Sequence, residues 1–244
     1  NTLGNIRMIY NGTPTDGNCS TLNDTTVFIN SSVFNDSSNY NAYVGYMYGS
    51  PNSTTYEDEH KNTNSSKIKT ILEEWYATNL LKYSDYIEDA IYCNNRKTYE
   101  FTINNVKYST LGYGNLNTGY LSKYNDGIKE KPSLDCTNVN DRFTVSKKLN
   151  TYPIGLITAD EAMFIGNKET TSTTTYLDNN NAYWTMTPAY FNGTNAYNYV
   201  IKGNNLKTLS TSTSAGVRPV ITIKNSVKLL GGNGSESTPY IITK

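Results

Sequence analysis

Tyr183-Trp184-Thr185-Met186-Thr187-Pro188 is the stretch on which the fold turns. It reads as a strand, and its proline, which has no N–H to give a ladder, predicts the strand's end. Downstream, Ala196-Tyr197-Asn198-Tyr199-Val200-Ile201 alternates in strand fashion and Gly203-Asn204-Asn205 turns it. Residues 217–223 alternate again. At the other end of the chain, 6–10 reads as a strand that stops at Asn11-Gly12-Thr13-Pro14. Residues 11–66 are mostly polar and hold short aromatic patches such as Tyr43-Val44-Gly45-Tyr46-Met47-Tyr48, which predict loops and short strands.

The clearest helix covers 66–81. Ile68, Ile71, Leu72, Trp75, Tyr76 and Leu80 recur at three- and four-residue spacing, with Glu73 and Glu74 on the polar side. A second helical piece is predicted over 85–90. Phe101-Thr102-Ile103 and Val106-Lys107-Tyr108 flank Asn104-Asn105 as a tight hairpin, because asparagine tolerates the positive φ of such turns. Residues 109–140 are rich in Gly and Asn and predict irregular structure. Thr158-Ala159-Asp160-Glu161 is a capping box that opens a short helix ending near Gly166. Its two carboxylates are better explained by the cap and the helix dipole than by acid–base chemistry. No internal repeat and no heptads occur, and the α+β class expected for the chain rests on the family likeness described below. One domain is expected over 1–225, with 226–244 as a tail or the start of a following segment.

A chain of 244 residues can build a single core. Only 17% of residues are charged, and 22 tyrosines supplement a low 36% of hydrophobic residues. That polar, weakly charged character suits work outside the cell, although an AT-rich genome produces the same bias. The net charge is zero and no basic run occurs, which argues against nucleic acid as a partner. No stretch reaches the roughly 18 apolar residues of a membrane span. Three cysteines, Cys19, Cys93 and Cys136, allow three single pairings. Cys93 and Cys136 each flank an ordered segment while Cys19 sits in a Gly/Asn/Thr loop, so Cys93–Cys136 is the favoured disulfide; three reduced thiols are the alternative. With one histidine and no C-x-x-C pair, a zinc cluster is not expected.

Several passages, taken in order, carry a family likeness. They are Ile6-Arg7-Met8-Ile9-Tyr10-Asn11-Gly12-Thr13, Glu74-Trp75-Tyr76, Asp89-Ala90-Ile91-Tyr92-Cys93-Asn94-Asn95-Arg96, Asp141-Arg142-Phe143-Thr144-Val145-Ser146, the run from Tyr152-Pro153-Ile154-Gly155 to Glu161, Tyr183 to Pro188, Gly216-Val217-Arg218-Pro219-Val220, and the tail around Gly232-Asn233-Gly234. Together they resemble a family of gut-bacterial surface proteins. That family is similar to the C-type-lectin-like branch containing the formylglycine-generating enzyme and the variable proteins of diversity-generating retroelements. The resemblance implies a C-type-lectin-like domain with small twisted antiparallel sheets, two or more helices and much irregular loop. It implies that 6–10 pairs near 217–223, that the helix from Ser66 packs beneath, and that Tyr183 and Trp184 lie on a central strand with Trp184 in or near the core. Arg218 is expected to satisfy several carbonyls with its guanidinium.

The chemistry expected is binding, not catalysis. The formylglycine-generating enzymes use a late cysteine pair, and this chain has no cysteine after Cys136. His60 lies in Tyr56-Glu57-Asp58-Glu59-His60-Lys61, which reads as a solvated charged surface rather than an acid–base or metal cluster. Asp16, Asp24, Asp36 and Asp178-Asn179-Asn180-Asn181 do not follow a lectin calcium tripeptide, so no cofactor is expected and only a structural calcium is left open. The Tyr/Asn-rich stretch 178–209 falls where this fold displays ligand-contacting loops. Tyr190, Phe191, Asn192, Asn195 and Tyr197 are the candidates to stack on and hydrogen-bond a glycan or protein ligand. The expected role is an adhesion or binding module at the cell surface or outside it. A stalk or subunit of a surface filament is the alternative, with self-association as its consequence. A minor third reading is a retroelement-diversified receptor, whose adenine-rich codons would include those of Asn192, Asn195, Asn198, Asn204 and Asn205.

Overall fold

A computed structural model describes residues 4–13, 26–52, 55–97, 101–103, 106–108, 120–121, 132–166, 175–233, 235, 237–238 and 240–243, with backbone alone between 101 and 121. The strands are β1 (Ile6–Ile9), β2 (Asn30–Ser32), β3 (Met47–Tyr48), β4 (Asn64–Ser65), β5 (Tyr92–Cys93), β6 (Phe101–Ile103), β7 (Val106–Tyr108), β8 (Tyr120–Leu121) and β9 (Arg142–Phe143). They continue with β10 (Asn179–Phe191), β11 (Ala196–Gly203), β12 (Asn205–Ser210), β13 (Ala215–Val217), β14 (Val220–Ile223), β15 (Lys228–Gly231) and β16 (Ile241–Thr243). The helices are α1 (Tyr56–Glu59), α2 (Lys67–Asn79) and α3 (Ala159–Ile165). The chain is therefore α+β, with several small sheets, few helices and much loop.

β10 is the axis of the largest sheet, ordered β12-β11-β10-β13-β2, with β8 also paired to β10. Trp184 on β10 is fully buried; it packs edge-on against Phe34 at 5.5 Å and donates its indole N–H to the Ser32 carbonyl at 2.8 Å. A buried Trp needs that acceptor, because an unpaired N–H away from water is costly. Pro188 does not end the strand. The ladder to β11 shifts register on either side of it, and such irregularities are where a strand tolerates a residue without an N–H. The turn at Gly203 is as expected: Lys202 faces Asn205 and Gly203 has φ +60°, a conformation that costs glycine little. The pair β10–β13 is parallel, unlike the other named pairs. β11 and β12 intervene in sequence, which gives the chain room to return in the same direction.

The reading of 217–223 as one strand is corrected. β13 ends at Val217 in the large sheet, and β14 begins at Val220 in a separate pair with β1. Pro219 interrupts the ladder between them, its carbonyl accepting from Tyr10 N at 2.8 Å. Arg218, buried at this break, donates to the Tyr10 and Leu177 carbonyls and to Asn11 Oδ1, and lies 4.8 Å from the Tyr183 ring centre. Antiparallel β1–β14 brings the first and last parts of the domain together, Ile6 opposite Ile223.

Ser66 caps α2 by accepting from Lys69 N, and Ile68, Leu72 and Tyr76 are buried from its apolar stripe. Trp75 is half-buried against Tyr10, placing α2 beside the end of β1. The second helical piece lies earlier than expected, as a 3₁₀ turn over Leu81–Tyr86. Ile87 and Glu88 are instead extended along β14, Glu88 N donating to Thr222 O. α3 carries the expected capping box and stops at Gly166, whose φ of 128° suits glycine. Strands β6 and β7 pair as the hairpin expected; their turn at 104–105 is outside the described residues. Within 226–244, β15 and β16 form a hairpin on which Leu229, Leu230 and Ile241 are exposed.

Candidate functional site

Tyr190 and Tyr197 are direct cross-strand partners on β10 and β11, and their rings stack with centroids 4.4 Å apart. Both are half-buried. Burial chiefly, and the neighbouring Tyr197, push the Tyr190 phenol up, against a hydrogen bond with Thr208 that pulls it down. Phe191 and Ala196, the next pair along, turn to the opposite face. Phe191 is 1% exposed and packs with Val44, so it supports the hairpin from behind and offers a ligand nothing on the surface. Asn192 Oδ1 accepts from Thr194 N, Thr194 Oγ1 and Asn195 N, which pins the turn internally. Asn195 Oδ1 accepts from Ser38 Oγ at 2.8 Å, tying the tip to the loop beside it. The tip thus presents two stacked phenols beside a turn whose amides are largely engaged.

The charged run 56–61 is solvated only in part, at Glu57 and Lys61. Thr55 caps α1, and Glu59 and His60 are buried. His60 stacks on Tyr56 at 3.8 Å, and its Nε2 stands 3.4 Å from Asp141 Oδ1. Arg96, also fully buried, donates from Nε to Asp141 Oδ1 at 2.7 Å and from its backbone N–H to Oδ2 at 3.1 Å. Its remaining donors reach the Met47 and Asn140 carbonyls and Asn62 Oδ1. Burial pushes the Asp141 carboxyl up, but Arg96, His60 and the Arg96 N–H outweigh it and hold the group below the ordinary carboxylate value. This cluster is enclosed and joins β3 to the segments at 60–62, Arg96 and 140–141, so its geometry is that of a structural ion pair.

Cys93 and Cys136 form a disulfide, with Cα atoms 5.9 Å apart, inside the range such a bond requires. The bridge excludes a bond from either to Cys19, which lies outside the described residues. It lines an open cleft of about 690 Å³ that the sequence reading missed. Arg7, Glu88, Asp135, Arg142, Asp160 and Glu161 are among its lining residues. Arg7 pairs with Glu161 at 2.9 Å, and Asp160 accepts from Ser133 N at 2.6 Å. The cleft was not legible because its walls come from six distant parts of the chain. The one local signal was Arg7, a charge in the middle of an apolar strand. Among the described residues, no three His, Cys, Asp or Glu side chains are grouped to hold a metal ion. Asp178 is taken up by Thr175, from which it accepts two hydrogen bonds. Asp16 and Asp24 lie outside the described residues.

Compared with protein-family models, curated proteins and solved structures, the chain matches none. What its own structure defines is an α+β protein closed by a disulfide, in which, among the described residues, no helix is long and apolar enough to cross a membrane.

Proposed function

We propose that the chain is an extracytoplasmic, non-catalytic binding domain of the C-type-lectin-like kind, which contacts a glycan or protein ligand through the hairpin tip at Tyr190 and Tyr197. The observation that carries this reading is the stacked pair itself. Two phenols held ring on ring by paired strands have little side-chain freedom to lose on binding, and each keeps a polar tip. The disulfide supports export, since such bonds persist in oxidising compartments. The pairing of β1 with β14 and the buried Trp184 on the central strand support the fold assignment.

A glycan and surface-protein array probed with the wild type, Tyr190→Ala and Tyr197→Ala tests the site. Asn192 is left intact because it holds the turn. Loss of signal in both variants, with unchanged thermal unfolding, is the expected outcome. Equal binding by all three proteins would sink the assignment.

A further inference from the structure

We infer that the groove along the free edge of β1 is a second binding site, for an extended peptide carrying a bulky apolar residue and a lysine or arginine two positions apart. The backbone comes first. Among the described residues, β1 is paired on one side only, with β14. Opposite Ile9 stands Val220, whose N–H and C=O both bond Gly155 on the far side; opposite Arg7 stands Thr222, whose carbonyl accepts from Glu88 N. In an antiparallel pair the residues not bonded to each other point their backbone groups outward. Arg7 and Ile9 therefore direct two N–H and two C=O groups to the open edge, and no described residue takes them. An unpaired edge of this kind is a template for an added strand.

The side chains beside that edge change character along it. Near Ile9 an apolar groove of about 240 Å³ is formed with Met8, Phe164, Ile165 and Tyr176. Phe164 and Tyr176 are 58% and 70% exposed, so apolar surface is left facing water there. Past Arg7 the groove opens into the cleft beside the disulfide, the two sharing Arg7, Leu134 and Glu161. The cleft lining holds five carboxylates against two guanidinium groups. Arg7 is matched by Glu161, and Arg142 donates to the Cys136 and Thr137 carbonyls. Asp89 and Asp160 accept from backbone N–H groups. Among the described residues, Glu88 and Asp135 line the cleft with no side-chain partner. The unmatched charge is negative and calls for a cation. In a strand added along β1, side chains two residues apart share a face and are separated by about 7 Å. An apolar side chain set beside Ile9 then carries a basic one toward Asp135, next to the Leu134 that lines both groove and cleft, while Glu88 lies beyond β14 and acts only through the cleft's overall negative charge. This site is distinct from the hairpin tip and does not depend on it.

The test uses the full chain and fluorescein-labelled heptapeptides of serine and threonine, read by anisotropy. One carries leucine and lysine two positions apart, in either order. The second replaces lysine by glutamate, the third replaces leucine by serine, and the fourth is N-methylated on the backbone at alternate residues. The first is expected to bind, each of the others at least tenfold more weakly, and rising salt to weaken the first. The Asp135→Asn variant is expected to narrow the preference for the lysine over the glutamate peptide. Absence of binding at millimolar peptide, indifference to N-methylation, or equal affinity for lysine and glutamate peptides in the wild type would overturn the proposal. So would sedimentation showing that two copies of the chain pair through this edge.

Discussion

Asp141 shows how one residue can hold a fold whose core is modest. It is 1% exposed, meets Arg96 through two hydrogen bonds and stands beside His60. Replacing it by asparagine would leave the Arg96 guanidinium buried without a counter-charge, a loss of about 3–5 kcal/mol. Urea unfolding of Asp141→Asn at neutral pH checks this. The pH dependence follows from the sign of the shift. The carboxyl is held below its ordinary value of 3.8, so folding favours the ionised form. Its stabilisation is complete above that value and fades as pH falls through the lower folded value. The stability gap between wild type and variant is therefore expected to be constant from neutrality down to about pH 4, then to narrow. None of this was legible in 56–61, because a run of charges looks the same whether it faces water or an aspartate in a distant segment.

At the scale of elements, what could be read locally was read well. The cap of α3 is a contact between residues three apart: Thr158 Oγ1 accepts from Glu161 N, and Glu161 accepts from Thr158 N. Thr158→Ala is expected to cost about 1 kcal/mol, visible as a lowered midpoint in thermal unfolding with an unchanged disulfide. The periodicity of α2 was as plain, because one face is buried and the other is not. Strands failed where both faces are covered. Between Ala215 and Ile223 nearly every residue is buried, so the alternation read over 217–223 does not follow burial and cannot mark where β13 gives way to β14. Pro188 misled for a related reason: its missing N–H matters only where the partner strand stays in register, and register is set by β11.

Across the whole molecule, the Cys93–Cys136 bridge joins residues 43 apart and ties the 132–138 segment to β5. Closing a loop of that length stabilises by roughly 4 kcal/mol in the chain-entropy model. The Cys93→Ala/Cys136→Ala double variant is expected to lose about 2–5 kcal/mol, measured by denaturant titration of both proteins side by side. Non-reduced peptide mapping of protein from its native host should return the 93–136 peptide pair; free thiols there would weaken the extracytoplasmic reading. Beyond the pairing of 6–10 with the late strand, which the family resemblance implied, the sequence by itself determined α2, the capping box of α3, the turn at Gly203 and the choice of cysteines. Those depend on spacing and on which residues seek the core. Only the tertiary structure decided that His60 and Asp141 are buried together, that Phe191 faces inward, and that Arg7, Glu88 and Asp135 line one cleft. Those facts depend on which distant segments meet, and contact between distant segments leaves no period in a single chain.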